Sequence, residues 1–307
     1  MLRDYGLVDF PEPFTNLLTQ GMVVKETQSC PRHGFLYPEE VSGDLTCAKC
    51  GSPVQTGRTE KMSKSKKNVV DPDFLVEKYG ADTVRLFCLF ASPPEKDLEW
   101  SEQGVEGSFR FLHRVWRLVE DWAGVLKAAQ RPRRDEDLTE DLKALRRKTH
   151  GTIKKVTEDI ENRFHFNTAI SAVMELVNFL YSLEPQRKDP SPQTAALMRE
   201  AVETVVVLLS PFVPHVCEEL WEALGQKESL FRVSWPRWEE EAVRDEEVLM
   251  VIQVNGKLRS RITVGAHASE EEIRAAVMGQ ERIQEILQGQ KIKKFVFVPK
   301  KLVNLVL

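Results

Sequence analysis

The segment Lys61-Met62-Ser63-Lys64-Ser65 combines two ammonium groups and two hydroxyl groups around one apolar side chain. Ammonium groups pair with phosphate oxygens, and short hydroxyl side chains leave backbone N–H groups accessible, so the segment suits polyphosphate binding. The alternative is a solvated basic loop, the usual state of an isolated lysine- and serine-rich pentamer. The segment that follows favours polyphosphate binding. It reads Asn68-Val69-Val70-Asp71-Pro72, and its Asp and Pro predict a helix that starts directly after the loop.

A second group of candidate residues precedes this loop and has the spacing of metal ligands. Cys30 and His33 form one pair, Cys47 and Cys50 form another, and a glycine follows each pair. Four nitrogen and sulfur ligands in two such pairs are typical of a tetrahedral Zn²⁺ site, and the glycines permit the positive φ that a ligand turn needs. The alternatives are disulfide bonds and a metal-free ribbon. Because four protein ligands close the coordination sphere, we expect the zinc to be structural.

Positioning these residues requires a folded chain, and the composition is that of a globular protein. The 307 residues are 42% hydrophobic and 29% charged, enough for two or three domains. No apolar run approaches a membrane span and the first residues lack the apolar core of a signal peptide, so no membrane partner is expected. Five cysteines, an odd number, argue against a disulfide framework and favour a cytoplasmic location.

Changes in hydrophobic periodicity divide the chain into three parts, for a fold class of mixed α/β and α. Residues 1–104 are expected to be the tail of an α/β domain, with a zinc-ribbon insertion at 29–58 and the lysine loop at 59–70. Apolar residues at helical spacing, followed by an aromatic connector, predict an α-helical bundle over 105–240. Two strand patterns joined by Asn255-Gly256, then a capping-box sequence at Ser269, predict a small α+β domain over 241–307.

Two clusters of basic residues are candidates for binding RNA. On the helix predicted over 139–162, the face opposite the apolar stripe carries Lys143, Arg147, His150 and Lys154. Such a face can follow a phosphate backbone, although an ordinary solvated helix surface is the alternative. Residues 246–307 have ten Lys and Arg against seven Glu, a net charge of +3. The bases on the predicted strands and turns of this part include Lys257, Arg259, Lys291, Lys293 and Lys294. Because exposed aromatic residues are scarce there, we expect recognition of RNA shape and backbone.

The lysine loop and its context resemble the KMSKS signature of class I aminoacyl-tRNA synthetases, and the whole chain resembles the bacterial leucyl-tRNA synthetase family. The segments that carry the resemblance occur in the family's order. They are Leu18-Thr19-Gln20-Gly21-Met22-Val23, the Cys/His ribbon, the lysine loop, Leu98-Glu99-Trp100-Ser101-Glu102-Gln103-Gly104-Val105-Glu106-Gly107 and Val254-Asn255-Gly256-Lys257. The resemblance implies a Rossmann-type catalytic domain, an anticodon-binding-type helical bundle and a C-terminal tRNA-binding domain.

The resemblance also implies roles for individual residues of the lysine loop. Lys64 matches the family's ATP-binding lysine, and Lys61 assists it as a second cation, so both are candidate catalytic residues. Met62, Ser63 and Ser65 belong to the same ATP-binding loop. The implied ligands are ATP with Mg²⁺, leucine and tRNA(Leu).

The family's HIGH motif, leucine pocket and editing domain precede this region, and this sequence contains none of them. We therefore expect the chain to be the C-terminal half of the enzyme, as a fragment, a truncated reading frame or a subunit of a split enzyme. It should act on leucine and ATP only together with the N-terminal half. One alternative is a non-catalytic tRNA- or RNA-binding module. Another is a zinc-ribbon nucleotide-binding enzyme of a different kind, which no Walker-type sequence supports.

Overall fold

The computed structural model describes the whole chain except residues 13, 15, 131–137, 184–187, 244–246, 266–267, 288–291 and 299–300. The chain forms two compact units, Met1–Glu239 and Glu240–Leu307. Within the described ranges, no helix has both the length and the apolar content that crossing a lipid bilayer would require.

The described part of the first 104 residues contains a small sheet, two α-helices and a short 3-10 helix, Pro38–Glu40. The elements are β1 (Val23–Cys30), β2 (Gly34–Phe35), β3 (Gln55–Lys61), α1 (Pro72–Tyr79), α2 (Ala81–Phe90) and β4 (Leu98–Glu99). β1 pairs antiparallel with β2 and β3, and parallel with β4. Since only one of these pairings is parallel, the Rossmann-type arrangement stays a prediction.

Helix α1 starts where the sequence predicts. The Asp71 carboxylate accepts a hydrogen bond from Asp73 N at 3.0 Å, and Pro72 occupies the first helical position. Gly80, with a φ of 83°, separates α1 from α2. Because Asp71 is also the residue that follows the lysine loop, this cap fixes one end of the loop.

In the described residues of 102–223, five α-helices form the predicted bundle. They are α3 (Glu102–Ala128), α4 (Glu140–Arg163), α5 (Phe166–Ser182), α6 (Pro192–Leu209) and α7 (Pro214–Ala223). α4 packs on α5 and α6, and α3 packs on α6 and α7. Apolar residues at helical spacing, such as Trp122, Leu145, Leu176 and Val205, lose contact with water in the common core. Their burial is the main source of stability for the bundle.

Helix α2 packs against this bundle through polar contacts. The Asp82 carboxylate is 5% exposed and accepts a hydrogen bond from Val216 N at 2.7 Å, in the first turn of α7. The Arg85 guanidinium donates to Phe212 O at 3.0 Å and to Pro211 O at 3.1 Å, at the corner between α6 and α7. These contacts explain why Met1–Glu239 is one compact unit.

The second unit is a four-stranded sheet with helices on one face. Its elements are α8 (Glu240–Val243), β5 (Glu247–Val254), β6 (Lys257–Gly265), α9 (Glu270–Met278), α10 (Glu281–Leu287), β7 (Lys294–Val298) and β8 (Leu302–Val306). The strand order is β6-β5-β8-β7. Asn255 and Gly256 have φ values of 50° and 76°, which confirms the predicted hairpin turn. Ile252, Ile273 and Ile283 belong to a core separate from that of the bundle.

Candidate ATP-binding loop, metal cluster and basic surfaces

Asn68 holds the base of the lysine loop. Its side chain is buried, at 3% exposure, and its Oδ1 accepts a hydrogen bond from Ser63 N at 2.9 Å. Its Nδ2 donates to Lys25 O at 3.0 Å and to Glu60 O at 3.2 Å, which belong to β1 and β3. A side-chain amide can do this because it offers both a donor and an acceptor. The loop is therefore tied to β3, from which it continues, and to the neighbouring strand β1.

The four lysines of the loop differ in whether an acidic residue neutralises them. Lys66 forms an ion pair with Glu60. Lys67 Nζ lies 3.1 Å from Glu40 Oε2 and 4.9 Å from the ring centroid of Tyr37. Lys61 and Lys64 are exposed, and neither forms an ion pair within the part of the chain that the structure describes. The two lysines predicted to bind ATP are thus the two whose charges are left for an external partner.

The other three residues of the predicted site shape the turn. Ser63 Oγ accepts a hydrogen bond from Lys66 N at 3.3 Å and lies 3.2 Å from Ser65 Oγ. Met62 is half-buried, and its N–H donates to Val23 O at 3.1 Å. Because their hydrogen-bonding groups have partners within the protein, these residues position the two lysines as well as lying beside them.

The four predicted metal ligands come together. The ligand atoms of Cys30, His33, Cys47 and Cys50 all lie within 4.8 Å of one another. Cys30 Sγ is 3.6 Å from Cys50 Sγ and 3.7 Å from His33 Nδ1, and Cys47 Sγ is 3.5 Å from His33 Nδ1. Tetrahedral zinc with Zn–S near 2.3 Å and Zn–N near 2.0–2.1 Å requires separations of roughly 3.8 Å between sulfurs and roughly 3.6 Å between sulfur and nitrogen. The cluster therefore fits a zinc ion.

The local structure of the ribbon favours this ligand set. Gly34 and Gly51 each have a φ of 69°, as the sequence predicts for residues after a ligand pair. Hydrogen bonds with the side chain and backbone of Ser52 lower the pKa of Cys50 to about 6, whereas burial raises the pKa of Cys47. Metal binding requires thiolates, and the lowered pKa of Cys50 favours its thiolate form.

Glu40 links the ribbon to the lysine loop, and nothing in its sequence context marks it. Its carboxylate forms two ion pairs: Oε1 lies 2.6 Å from Lys49 Nζ, and Oε2 lies 3.1 Å from Lys67 Nζ. Hydrogen bonds from Lys49, from Tyr37 N and from Lys67 lower the pKa of Glu40 to about 2. The sequence analysis also did not predict Asn68 as a site residue. Its position between a polar turn and two valines could have indicated that it anchors the loop.

A cleft of about 720 Å³ lies beside the loop, between the ribbon and the sheet. Lys25 and Lys67 line it together with the acidic residues Glu26, Glu99 and Glu102. Because these residues carry charges of both signs, the cleft does not specifically favour binding of a polyphosphate group. The exposed side of the loop, with Lys61 and Lys64, is the better location for phosphate groups.

The basic face predicted on α4 needs one correction. His150 is 2% exposed, its Nδ1 accepts a hydrogen bond from Glu239 N at 3.1 Å, and its Nε2 lies 3.5 Å from Glu200 Oε1. Its placement on an exposed face for RNA was wrong, because the connector after α7 covers this side of the helix. Lys143 pairs with Glu140, and Lys154 lies 5.9 Å from the ring centroid of Trp238. Arg147 is half-buried.

The predicted basic residues of the second unit lie at one end of its sheet. Lys257 follows the hairpin turn and pairs with Val254, while Lys294 pairs with Val306 at the corresponding end of β8. Lys293 Nζ donates to Leu307 O at 3.2 Å, and Arg259 is next to this end on β6. All four side chains are exposed. Lys291 lies outside the described residues.

Two families match parts of the chain. The family described as the anticodon-binding domain of tRNA ligase matches residues 143–274. Class I tRNA synthetases (I, L, M and V) match residues 50–101, a range that includes the lysine loop.

Similar proteins cover the whole chain. Leucine–tRNA ligases from Desulfatibacillum aliphaticivorans and Syntrophus aciditrophicus are 54% and 56% identical to it, over 310 and 308 residues. Each alignment includes 100% of this chain but only 36% and 35% of the relative, so the chain spans about a third of their length. A LeuRS from Agrobacterium radiobacter, crystallised in a ternary complex with tRNA and LeuAMS, has a TM-score of 0.73 and 31% identity. That match covers 99% of this chain and 35% of the other.

Proposed function

We propose that this chain, which is homologous along its whole length to the C-terminal part of leucine–tRNA ligases, supplies the ATP-binding loop and tRNA-binding surfaces of such a ligase. The reaction is the activation of leucine by ATP, followed by transfer of leucine to tRNA(Leu). One observation carries the proposal. Of the four lysines in the loop, those that match the family's ATP-binding cations are exposed, while Lys66 and Lys67 are held by acidic neighbours.

Lys64 and Lys61 act on the phosphates of ATP. When pyrophosphate leaves, negative charge grows on the departing oxygens, and two nearby ammonium groups stabilise that charge. The loop is held in advance by Asn68, so little reorganisation is needed when the charge develops. Mg²⁺ accompanies ATP as its counterion, and Met62, Ser63 and Ser65 set the direction of the two lysines.

Cys30, His33, Cys47 and Cys50 would hold the zinc ion, whose role would be structural. Four protein ligands would complete a tetrahedral coordination sphere and leave no position for substrate. When bound, the ion cross-links the two ligand turns of the ribbon. The protein side chains around the lysine loop, and not the metal, contact the nucleotide.

The remaining ligands need other surfaces and another part of the enzyme. The match of residues 143–274 to an anticodon-binding domain, together with the basic end of the second sheet, supports binding of tRNA. Lys143, Arg147 and Lys154 on α4 and Lys257, Arg259, Lys293 and Lys294 in the second unit are the proposed contacts, and Lys291 is retained as a sequence-based candidate. The N-terminal part of the ligase, which corresponds to the rest of the relatives' length, supplies the HIGH motif and the leucine pocket.

Leucine-dependent exchange between ATP and pyrophosphate tests this function. We expect no exchange by the chain alone, and exchange when the N-terminal part of the ligase is added. Lys64→Ala in the combined enzyme should lower kcat on the order of 10²-fold, with a smaller change in the KM for ATP, because the charge it meets grows in the transition state. Lys66→Ala is the matched control, with a smaller decrease expected because Glu60 already neutralises that lysine.

Filter binding of tRNA(Leu) separates the possible outcomes. Robust pyrophosphate exchange by the chain alone would contradict the proposal that the N-terminal part is needed for leucine activation. If Lys64→Ala leaves exchange intact but weakens tRNA binding, the loop is an RNA contact. If tRNA binds but the N-terminal part never restores exchange, the chain is a non-catalytic RNA-binding module.

A further inference from the structure

Glu40 lies between the Cys30/His33/Cys47/Cys50 cluster and the lysine loop and contacts both sides. We propose that Glu40 is a positioning residue, through which metal binding at the cluster fixes the lysine loop in the shape that presents Lys61 and Lys64. The importance of that shape for ATP rests on the proposed function. The coupling itself is a property of this chain and can be measured without ATP.

The first step runs from the cluster to Glu40. Ala48 and Lys49 stand between the ligands Cys47 and Cys50, so a metal ion that holds both cysteines fixes these two residues as well. Ala48 N donates a hydrogen bond to Glu40 O at 3.0 Å, and Lys49 Nζ lies 2.6 Å from Glu40 Oε1. The metal-bound turn therefore holds Glu40 by its backbone and by its carboxylate.

The second step runs from Glu40 to the loop. Its other carboxylate oxygen, Oε2, accepts hydrogen bonds from Lys67 Nζ at 3.1 Å and from Tyr37 N at 3.0 Å. The ring of Tyr37 also faces the Lys67 ammonium group. A cation between a carboxylate and an aromatic ring, both on the ribbon, has a fixed direction.

The third step runs along the backbone of the loop. Lys67 has a φ of 55°, in the left-handed region that residues with a Cβ rarely adopt. Contacts on both sides keep it there: the ribbon holds its side chain, and the next residue, Asn68, is buried and bonded to Ser63 N. Releasing Lys67 from Glu40 removes one of these two restraints, and the turn from Ser63 to Lys67 then has access to other conformations.

The contacts differ from those of an ordinary surface ion pair. An exposed pair contributes little because water and salt screen it and both side chains move. The Glu40 and Lys67 side chains are only 19% and 28% exposed, and three donors share the one carboxylate. A change at the cluster can therefore pass to the loop through a short series of direct contacts.

Hydrogen–deuterium exchange of the loop amides tests the coupling in the full chain. Ser63 N, Lys66 N and Lys67 N are hydrogen-bonded within the loop, so a peptide covering 62–70 reports its opening. In the wild-type chain with one equivalent of zinc, removing the zinc with a chelator should speed exchange of this peptide on the order of tenfold. Peptides from Glu240–Leu307 provide the internal reference and should not change.

Glu40→Gln should speed exchange of the loop peptide while the chain still binds one equivalent of zinc, and chelation should then add little. Glu39→Gln is the matched control, since it removes the same charge from the neighbouring residue, which is exposed. Lys67→Met tests the same contact from the other side and should match Glu40→Gln, with no further effect when the two changes are combined.

Three results would overturn the coupling. The first is a chain that binds no zinc, and the second is loop exchange that zinc removal does not alter. The third is a Glu40→Gln loop that exchanges like wild type or still responds fully to zinc. None of these measurements involves ATP, so the coupling can fail while the proposed function stands, and pyrophosphate exchange can fail while the coupling stands.

Discussion

The chemistry of the lysine loop is decided by which side chains already have a partner. Lys61, Lys64, Lys66 and Lys67 carry the same charge within seven residues. Glu60 and Glu40 neutralise the last two, so the loop presents two cations and not four. The neutralised lysines help to shape the loop, and we propose that the other two bind phosphate oxygens.

Asn68→Ala should destabilise the first unit while leaving the side chains of both exposed lysines in place. The change leaves Ser63 N without its acceptor and removes the donors to Lys25 O and Glu60 O. Losing partners for buried polar groups costs about 1–3 kcal/mol of unfolding free energy. Urea denaturation followed by tryptophan fluorescence measures this, because all six tryptophans lie in Met1–Glu239.

Asn178→Ala is the control for this change. Asn178 is exposed and accepts one hydrogen bond from Arg114 Nη2 at 2.8 Å, so its loss should cost much less. Equal losses for the two variants would show that Asn68 is not a special anchor of the loop.

At the scale of elements, local patterns predicted the starts of helices and the metal ligands. Asp71 caps α1, Ser269 caps α9, and the Cys/His spacing brings four ligands together. Each of these features depends on residues close in sequence, or on the symmetry of two short turns. The contact between Glu40 and Lys67 spans 27 residues and joins a short 3-10 helix of the ribbon to the lysine loop, and no periodicity or motif encodes such a pairing.

The error on α4 has the same origin. Hydrophobic periodicity marks a single apolar stripe, but α4 is also covered on a second, polar side by the connector. Trp235 Nε1 donates to Thr157 Oγ1 at 2.8 Å, and Glu239 N donates to His150 Nδ1. A polar residue that is buried under a connector looks in sequence like a polar residue facing water. His150 was for that reason placed on the wrong surface.

The attachment of α2 to the bundle leads to a prediction of its own. Asp82→Ala removes the buried carboxylate that accepts a hydrogen bond from Val216 N at the start of α7, and leaves that partly buried amide without this partner. We expect a loss of about 1–3 kcal/mol in the unfolding free energy of the first unit, in the same fluorescence assay. Asp141→Ala is the control, because Asp141 also lies in the first turn of a helix but is exposed. A similar loss for both would mean that helix-end charge, and not the buried contact, is responsible.

At the scale of the whole molecule, charge is divided unequally along the chain. Residues 246–307 carry a net charge of +3, and because the whole chain carries −4, the remainder carries −7. Attraction to a nucleic-acid backbone is therefore expected to depend most on the basic end of the second sheet. On α4 of the first unit, Lys148 and Lys155 already pair with Glu175 and Asp159.

Salt dependence of tRNA binding tests whether this end of the sheet contacts the phosphate backbone. Replacing Lys257 and Lys294 by Gln in the full chain removes two exposed charges from that end. If both touch phosphates, fewer counterions are released, and the slope of log K against log salt should fall by about 0.7–0.9 for each. Lys301→Gln is the control, because Lys301 is exposed and precedes β8 at the end of this strand that lies away from Lys294. It should leave the slope unchanged. A slope that responds equally to Lys301, or not at all to Lys257 and Lys294, would place the RNA on another surface of the molecule.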